Sequence, residues 1–457
     1  MPGRRRVLLV ANNFPPMLGG SASVYANLAR CRPDDIIVLA PGINYATGKR
    51  LEGLSEYDAA APFRIRRLPL LRTVMRQAPA RGMTRLGLMM GDLYIRARVL
   101  AEVFQSILFQ RVRSVCIGEL LASAWLVRIL RLVPGIHVSI YIHGEEITTE
   151  DSYDPRHERA RRTLCLADSI VVVSRFTLGA VQQLLGPGHA ARITLIENGV
   201  NTRLFTPGPK PAALVASYGL EGKFIFVSVC RLLRKKGIDT AIRALPQVLA
   251  AFPDTRYVVV GQGEFAEELR ELVEELGLGE HVRFTGRVAD EALVDHYRLG
   301  DVFVMPNRRL PNGDTEGFGL VFLEANSCGI PVIAGRDGGS PDAVTNGVNG
   351  LVVDGGSVEE VARAMLALRG DEALSASITA GAKARASRSG WDEKADMLVE
   401  LSSEPEGRAG TNEDMRSWGQ ILGVASCSML ILLVATPYLL LLRLVDWLPG
   451  RQLSRHG

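Results

Sequence analysis

Two successive series of short apolar runs, each run parted from the next by a longer helix-forming stretch, constrain this chain more than any other feature. The first series occupies 6–10, 35–40, 114–117, 137–142, 169–173 and 193–196, and the second 224–229, 257–260, 282–285, 302–305, 332–334 and 351–353. Runs of this length with no polar face predict buried strands, and strands alternating with helices predict parallel sheets covered on both sides. The expected fold class is therefore α/β, with two doubly wound domains facing a cleft. Ligands of such sheets bind beyond the carboxyl ends of the strands. Three prolines in the stretch FTPGPKPAA mark a linker. The expected division is an N-terminal α/β domain over 1–204, a linker over 205–216 and a second, C-terminal α/β domain over 217–402. A polar connection follows over 403–420, then a hydrophobic segment over 421–442 and a basic tail over 443–457.

Composition narrows the function classes. The chain has 457 residues, 47% hydrophobic and 22% charged, which fits globular domains rather than a disordered chain. A net charge of +4 is too small to mark a nucleic-acid binder, so no nucleic-acid partner is expected. The six cysteines form no CxxC pair, and some sit among apolar neighbours, as in Leu164-Cys165-Leu166. That argues for reduced thiols and against a zinc site or a disulfide framework. After Arg4-Arg5-Arg6 only five apolar residues follow, Val7 to Ala11, too few for a signal peptide. The body is expected on the cytosolic side of the inner membrane.

The tail differs. Residues 421–442 are 22 in number without a charge, flanked by Trp418, Arg443 and Trp447. As a helix they would reach about 33 Å, enough to cross a bilayer core. Arginines at 64, 66, 67, 72, 76, 81 and 85 open a stretch in which Asp92 is the one acid up to residue 98. With Leu, Met and Ile interleaved, this reads as a surface for anionic lipid.

Several motifs follow predicted strands. Gly19-Gly20 precedes a helix start, where a backbone can approach an anion. Arg231 and Lys236 stand in the loop after 224–229, a guanidinium fork and a point charge suited to a diphosphate. Glu316 precedes Gly317-Phe318-Gly319, and Glu324 lies within the apolar stretch that follows. A carboxylate flanked by Val321, Phe322, Leu323 and Ala325 needs a hydrogen-bonding partner, and a ribose diol supplies two hydroxyls. The amides of Phe318, Gly319 and Leu320 stand at a helix start. His143 follows the run HVSIYI and precedes Gly144-Glu145-Glu146, a pattern without the spacing of a metal site. VVVGQGEFA fits G-x-G-x-x-A, but no strand leads to the acid at Glu280, so a nicotinamide site is not expected. No D-x-D occurs, so neither a metal nor another cofactor is expected.

Taken together, Glu316-x7-Glu324, Arg231-x4-Lys236, Gly19-Gly20 and ENGVNTRLFTP resemble the retaining glycosyltransferases of family 4, of GT-B fold, over about residues 5–400. EGFGLVFLEANSCGIPVIAGRDGGSPDAV is especially similar to bacterial GDP-mannose-dependent transferases. The resemblance implies that Glu316 and His143 meet the transferred sugar and Glu324 the ribose. It implies that Arg231 and Lys236 hold the diphosphate, and that Arg287 and Val288 lie near the base. The expected activity is hexosyl transfer, most readily of mannose from GDP-mannose, to a lipid-linked or glycan acceptor. A UDP-sugar donor is the alternative, and a UDP-sugar 2-epimerase of the same architecture a more distant one.

Overall fold

The computed structural model describes residues 6–74, 82–152 and 154–402. The expected membrane segment over 421–442, its flanks and two of the lipid-facing arginines, Arg76 and Arg81, lie outside the described residues. Among the described residues no helix is long and apolar enough to cross a membrane.

Among the described residues thirteen strands form two sheets. The first contains β1 (Arg6–Val10), β2 (Ile36–Pro41), β3 (Arg64–Leu68), β4 (Val112–Ile117), β5 (His137–Ile142), β6 (Ser169–Val172) and β7 (Ile193–Leu195), in the order β3-β2-β1-β4-β5-β6-β7. The second contains β8 (Phe224–Val229), β9 (Thr255–Val260), β10 (Val282–Gly286), β11 (Val302–Met305), β12 (Val332–Gly335) and β13 (Gly350–Val353), in the order β10-β9-β8-β11-β12-β13. The described pairings are parallel, as β1 with β2 (Leu8 opposite Ile37) and β8 with β9 (Val227 opposite Val258). The fold is thus two parallel-sheet, Rossmann-like domains. In both sheets the order reverses beside the first strand, at β1/β4 and at β8/β11, the place where such sheets open a crevice for ligands.

The strand runs are apolar because both faces are covered. Phe226, Tyr257, Val259, Val304 and Ile333 join Ile238, Leu245 and Leu269 from the flanking helices in one buried cluster. Each such side chain contributes about 1.5–3 kcal/mol by leaving water.

One strand was not expected. Arg64–Leu68, assigned by its arginines to a lipid-facing surface, is the edge strand β3, with Ile65 opposite Val38 of β2. Charged side chains on an edge strand discourage further pairing.

By contacts between its residues the chain divides into two compact units. One is built mainly from Met1–Ile140 with Leu166–Asp168, the other from Tyr141–Cys165 with Ser169–Leu398.

Candidate active site

Most candidate residues fall in the second unit, and the loop after β8 organises them. Cys230 donates its amide to Val260 O at 3.1 Å, and Leu232 to Gln262 O at 3.0 Å. A Cβ on Gly261 would stand 1.9 Å from Cys230 O, so this glycine is required where two backbones touch. The G-x-G-x-x-A pattern is thereby accounted for as a brace under the basic loop. The loop then closes into a short helical turn, Arg234–Lys236.

Lys236 forms an ion pair with Glu316, both largely buried. Burial works against both charges and is outweighed by their mutual attraction: the Lys236 ammonium is held above its ordinary range and the Glu316 carboxyl below its own. The nearby Phe318 amide also favours the ionised Glu316 carboxylate. Arg231 is exposed, and its charge acts on Lys236, which places the two expected cations together. Lys235, not singled out by the sequence, is 6% exposed. Its Nζ donates to Asp314 Oδ1 at 2.7 Å and to Thr315 O at 3.2 Å, and lies 3.8 Å from Glu145 Oε2. Consecutive lysines therefore grip alternate residues, Asp314 and Glu316, of one loop.

Helix Leu320–Ser327 carries Glu324 between the buried Leu323 and Ala325. Its partner is neutral: the Tyr297 hydroxyl donates to Glu324 Oε2 at 2.6 Å. Burial pushes the Glu324 carboxyl up to about 7, the tyrosine offsetting part of that rise. Among the described residues no salt bridge engages it. Such a carboxylate suits hydroxyl donors. Tyr297 had no local signal in the sequence, since it lies on another helix, Asp290–Leu299. Asn307 was missed for the same reason. Buried after β11, it accepts from Gly335 N at 3.1 Å and Ser340 Oγ at 2.9 Å, fixing the 335–340 loop.

His143 follows β5. Burial lowers its imidazole to about 4, so it is neutral near pH 7. Its ring lies 5.2 Å from that of Tyr141. A Cβ on Gly317 would stand 2.1 Å from His143 O, so the histidine's backbone abuts the residue next to Glu316. Arg287 and Val288, past Gly286 at the end of β10, are exposed and half-buried respectively.

Gly19 and Gly20 belong to the first unit, where Gly20 opens helix Gly20–Cys31 and Asn13 Nδ2 donates to Ser21 Oγ at 2.8 Å. The arginine surface, in the same unit, is corrected in part. Arg67 is paired with Asp58 and donates to Pro41 O at 3.0 Å and Pro15 O at 2.6 Å, which fixes it inside the fold. Arg66 is paired with Glu102. Asp58 lies just before the 63–98 stretch and Glu102 just after it, which is why counting within 63–98 missed them. Arg64 and Arg85 are exposed, and Arg72 lies over the Tyr45 ring at 4.8 Å.

Among the described residues no cluster of three or more His, Cys, Asp or Glu could hold a metal ion.

Residues 213–385 match the family described as glycosyl transferases group 1. Over 406 residues the chain is 32% identical to a Mycolicibacterium smegmatis protein named GDP-mannose-dependent alpha-(1-6)-phosphatidylinositol monomannoside mannosyltransferase, covering 87% of this chain and 98% of that one. A Mycobacterium tuberculosis protein of the same name is 35% identical over 369 residues, 79% of this chain and 89% of its own length. Among solved structures, Anabaena HepE in complex with UDP and glucose matches with a TM-score of 0.68 at 23% identity, over 88% of this chain and 100% of that chain. At that identity the likeness is one of fold.

Proposed function

Because this chain belongs to the glycosyl transferases group 1 family, we propose that it is a retaining mannosyltransferase taking mannose from GDP-mannose to a lipid-linked acceptor of the phosphatidylinositol monomannoside class. The donor follows the names of its relatives, and the site supplies the chemistry. The observation that carries the reading is the Lys236–Glu316 pair beside Arg231. It puts cations for a diphosphate next to a carboxylate kept ionised for the sugar hydroxyls.

In this reading Glu324 accepts from the ribose diol, and Phe318, Gly319 and Leu320 present the start of their helix to sugar and phosphate oxygens. Arg287 and Val288 flank the base. Gly19 and Gly20 approach the phosphates, and neutral His143 hydrogen-bonds the hexose. The acceptor hydroxyl attacks C1 on the face the diphosphate leaves. The C1–O(phosphate) bond breaks as C1–O(acceptor) forms, and the acceptor proton passes to the departing phosphate oxygen. Arg231 and Lys236 stabilise the charge developing there, each contact worth about 1.5–3 kcal/mol. Because those cations do a metal's work on the diphosphate, EDTA is expected to leave turnover unchanged. Loss of activity restored by Mg²⁺ or Mn²⁺ would contradict that.

Membrane attachment belongs to the same reading. The uncharged 421–442 segment is its anchor, with the C-terminus outside. Arg64, Arg72 and Arg85 together with the exposed Leu88, Met89 and Leu93 meet anionic lipid. The deciding experiment incubates the full-length protein with radiolabelled GDP-mannose or UDP-hexoses and a phosphatidylinositol mannoside-containing extract. Label in lipid from GDP-mannose alone is expected. Transfer from a UDP-hexose alone replaces the donor, and epimerised sugar without transfer overturns the reading.

A further inference from the structure

The turn after β5 is held by a carboxylate that the reaction as described leaves unused. Glu146 Oε2 accepts from Gly144 N at 2.8 Å, and Oε1 accepts from His143 N at 3.3 Å. Behind it, the Ile147 and Thr148 amides and the Thr148 hydroxyl all donate to Gly144 O, at 3.0, 3.1 and 3.1 Å. The peptide units flanking His143 are thus fixed from one side by Glu146 and from the other by the contact of His143 O with Gly317. The short helix that follows, Glu145–Thr148, is too brief to hold such a turn by its own hydrogen bonds.

We propose that Glu146 is a positioning residue for hexosyl transfer: its carboxylate, bonded to the two amides, sets the orientation in which His143 meets the sugar. The proposal rests on the reading of His143 given above. A protonated carboxyl has one oxygen committed to its proton and grips the pair of amides less well. Burial pushes Glu146 up to about 7, with the neighbouring Glu145 adding to the rise and the amides opposing it. Other charges stand near the turn, among them Arg309, whose Nη2 would lie 3.6 Å from a Cβ on Gly313 beside Thr148 O. Lys235 lies against Glu145 and Asp314, and Lys236 against Glu316. Helix Arg175–Leu185, which packs on this segment, carries the single charge of Arg175, bound to Asp342. His143 itself is neutral near pH 7. Lowering the pH through about 7 is therefore expected to loosen the turn and reduce kcat, while KM for the donor stays nearly constant.

The test compares wild type, Glu146→Gln, His143→Ala and the double variant, with GDP-mannose as donor. A misdirected sugar contact costs roughly 10-fold or more in rate. Glu146→Gln is expected to lower kcat about 10-fold, to keep GDP affinity by calorimetry, and to lose the acid limb of the kcat profile. In the double variant the glutamine should add nothing to the loss from His143→Ala, because both act through one contact. A purely structural cap predicts a lower Tm with an unchanged pH profile, and that result overturns the proposal. So does a full multiplicative loss in the double variant, or a wild-type kcat in Glu146→Gln beside an impaired His143→Ala. A silent His143→Ala instead removes the sugar contact itself, and an impaired Glu146→Gln beside it overturns the positioning role too.

Discussion

The Tyr297 hydroxyl donates to Glu324 across 27 residues of sequence, at 2.6 Å, and gives that half-buried carboxylate a neutral partner. With no cation paired to it among the described residues, burial holds Glu324 at about 7 in the folded protein against an ordinary 4.5. Ribose hydroxyls donate to the ionised form, so GDP affinity is expected to weaken as pH falls below about 7, approaching tenfold per pH unit for one linked proton. Glu324→Gln should abolish that slope in calorimetric titrations. Stability runs the opposite way. Between pH 4.5 and 7 the folded carboxyl binds a proton that the unfolded one releases, so its contribution is full below 4.5 and lost as pH rises through 7. The Tm of Glu324→Gln relative to wild type should therefore climb from pH 5 to pH 8. Tyr297→Phe removes a hydrogen bond to a charged group, worth about 1.5–3 kcal/mol, and should weaken GDP binding further.

Lys236 and Glu316 behave as one unit. Removing one partner of a buried pair costs about 3–5 kcal/mol, because the other charge is left uncompensated. Lys236→Met and Glu316→Gln are each expected to lose stability and nearly all transfer. The double variant should regain much of the stability and none of the activity. Denaturant unfolding alongside single-turnover kinetics checks this, and additive stability losses would argue against a shared pair. The pH range follows from both shifts. Glu316, held low, stabilises above its ordinary range and stops doing so as pH falls through its folded value. Lys236, held high, stabilises until pH rises through its own.

Lys235 tests whether the loop's position matters apart from the site charges. Lys235→Met releases Asp314 and the Thr315 carbonyl, the two residues before Glu316, and removes a charge that helps keep Glu316 ionised. KM for GDP-mannose should rise about 10-fold, the size expected of a displaced contact. The acid limb of kcat/KM should also move to higher pH. Lys235→Arg should recover part of both effects, and an unchanged KM in Lys235→Met would show that the loop is held elsewhere.

How much of this was legible in the sequence depended on distance along the chain. The buried strands were, because a run such as Phe224–Val229 carries its burial in its own composition. Strand β3 was not, since Arg64, Arg66 and Arg67 interrupt the apolar pattern and its evidence of pairing lies in β2. Lys236 and Glu316 could be picked out singly by residue type and spacing. That they bind each other, 80 residues apart, could not. Tyr297, Lys235 and Glu146 escaped because ordinary residue types become functional candidates only through their partners. Arg67 failed in the opposite sense: its charge was visible, and the Asp58 that engages it was not weighed.

Gly317 offers the most local test of the site. A methyl there would stand 2.1 Å from the His143 carbonyl oxygen, where no side chain can yield because the obstacle is backbone. Gly317→Ala must therefore push apart the turn bearing His143 and the loop bearing Glu316. Neither a charge nor a hydrogen-bonding group is deleted, so loss of activity would come from geometry alone. Arg231 stands on a different loop, but Lys236 is paired with Glu316 of the displaced one, so GDP affinity should also fall, though by less than kcat. Misplacement of about 1 Å is enough to cost 100-fold in rate, so kcat should fall by about that much in the folded variant. Isothermal titration with GDP and steady-state transfer assays separate the two quantities. A variant that transfers mannose at the wild-type rate would show that His143 and Glu316 need not be held together for the reaction.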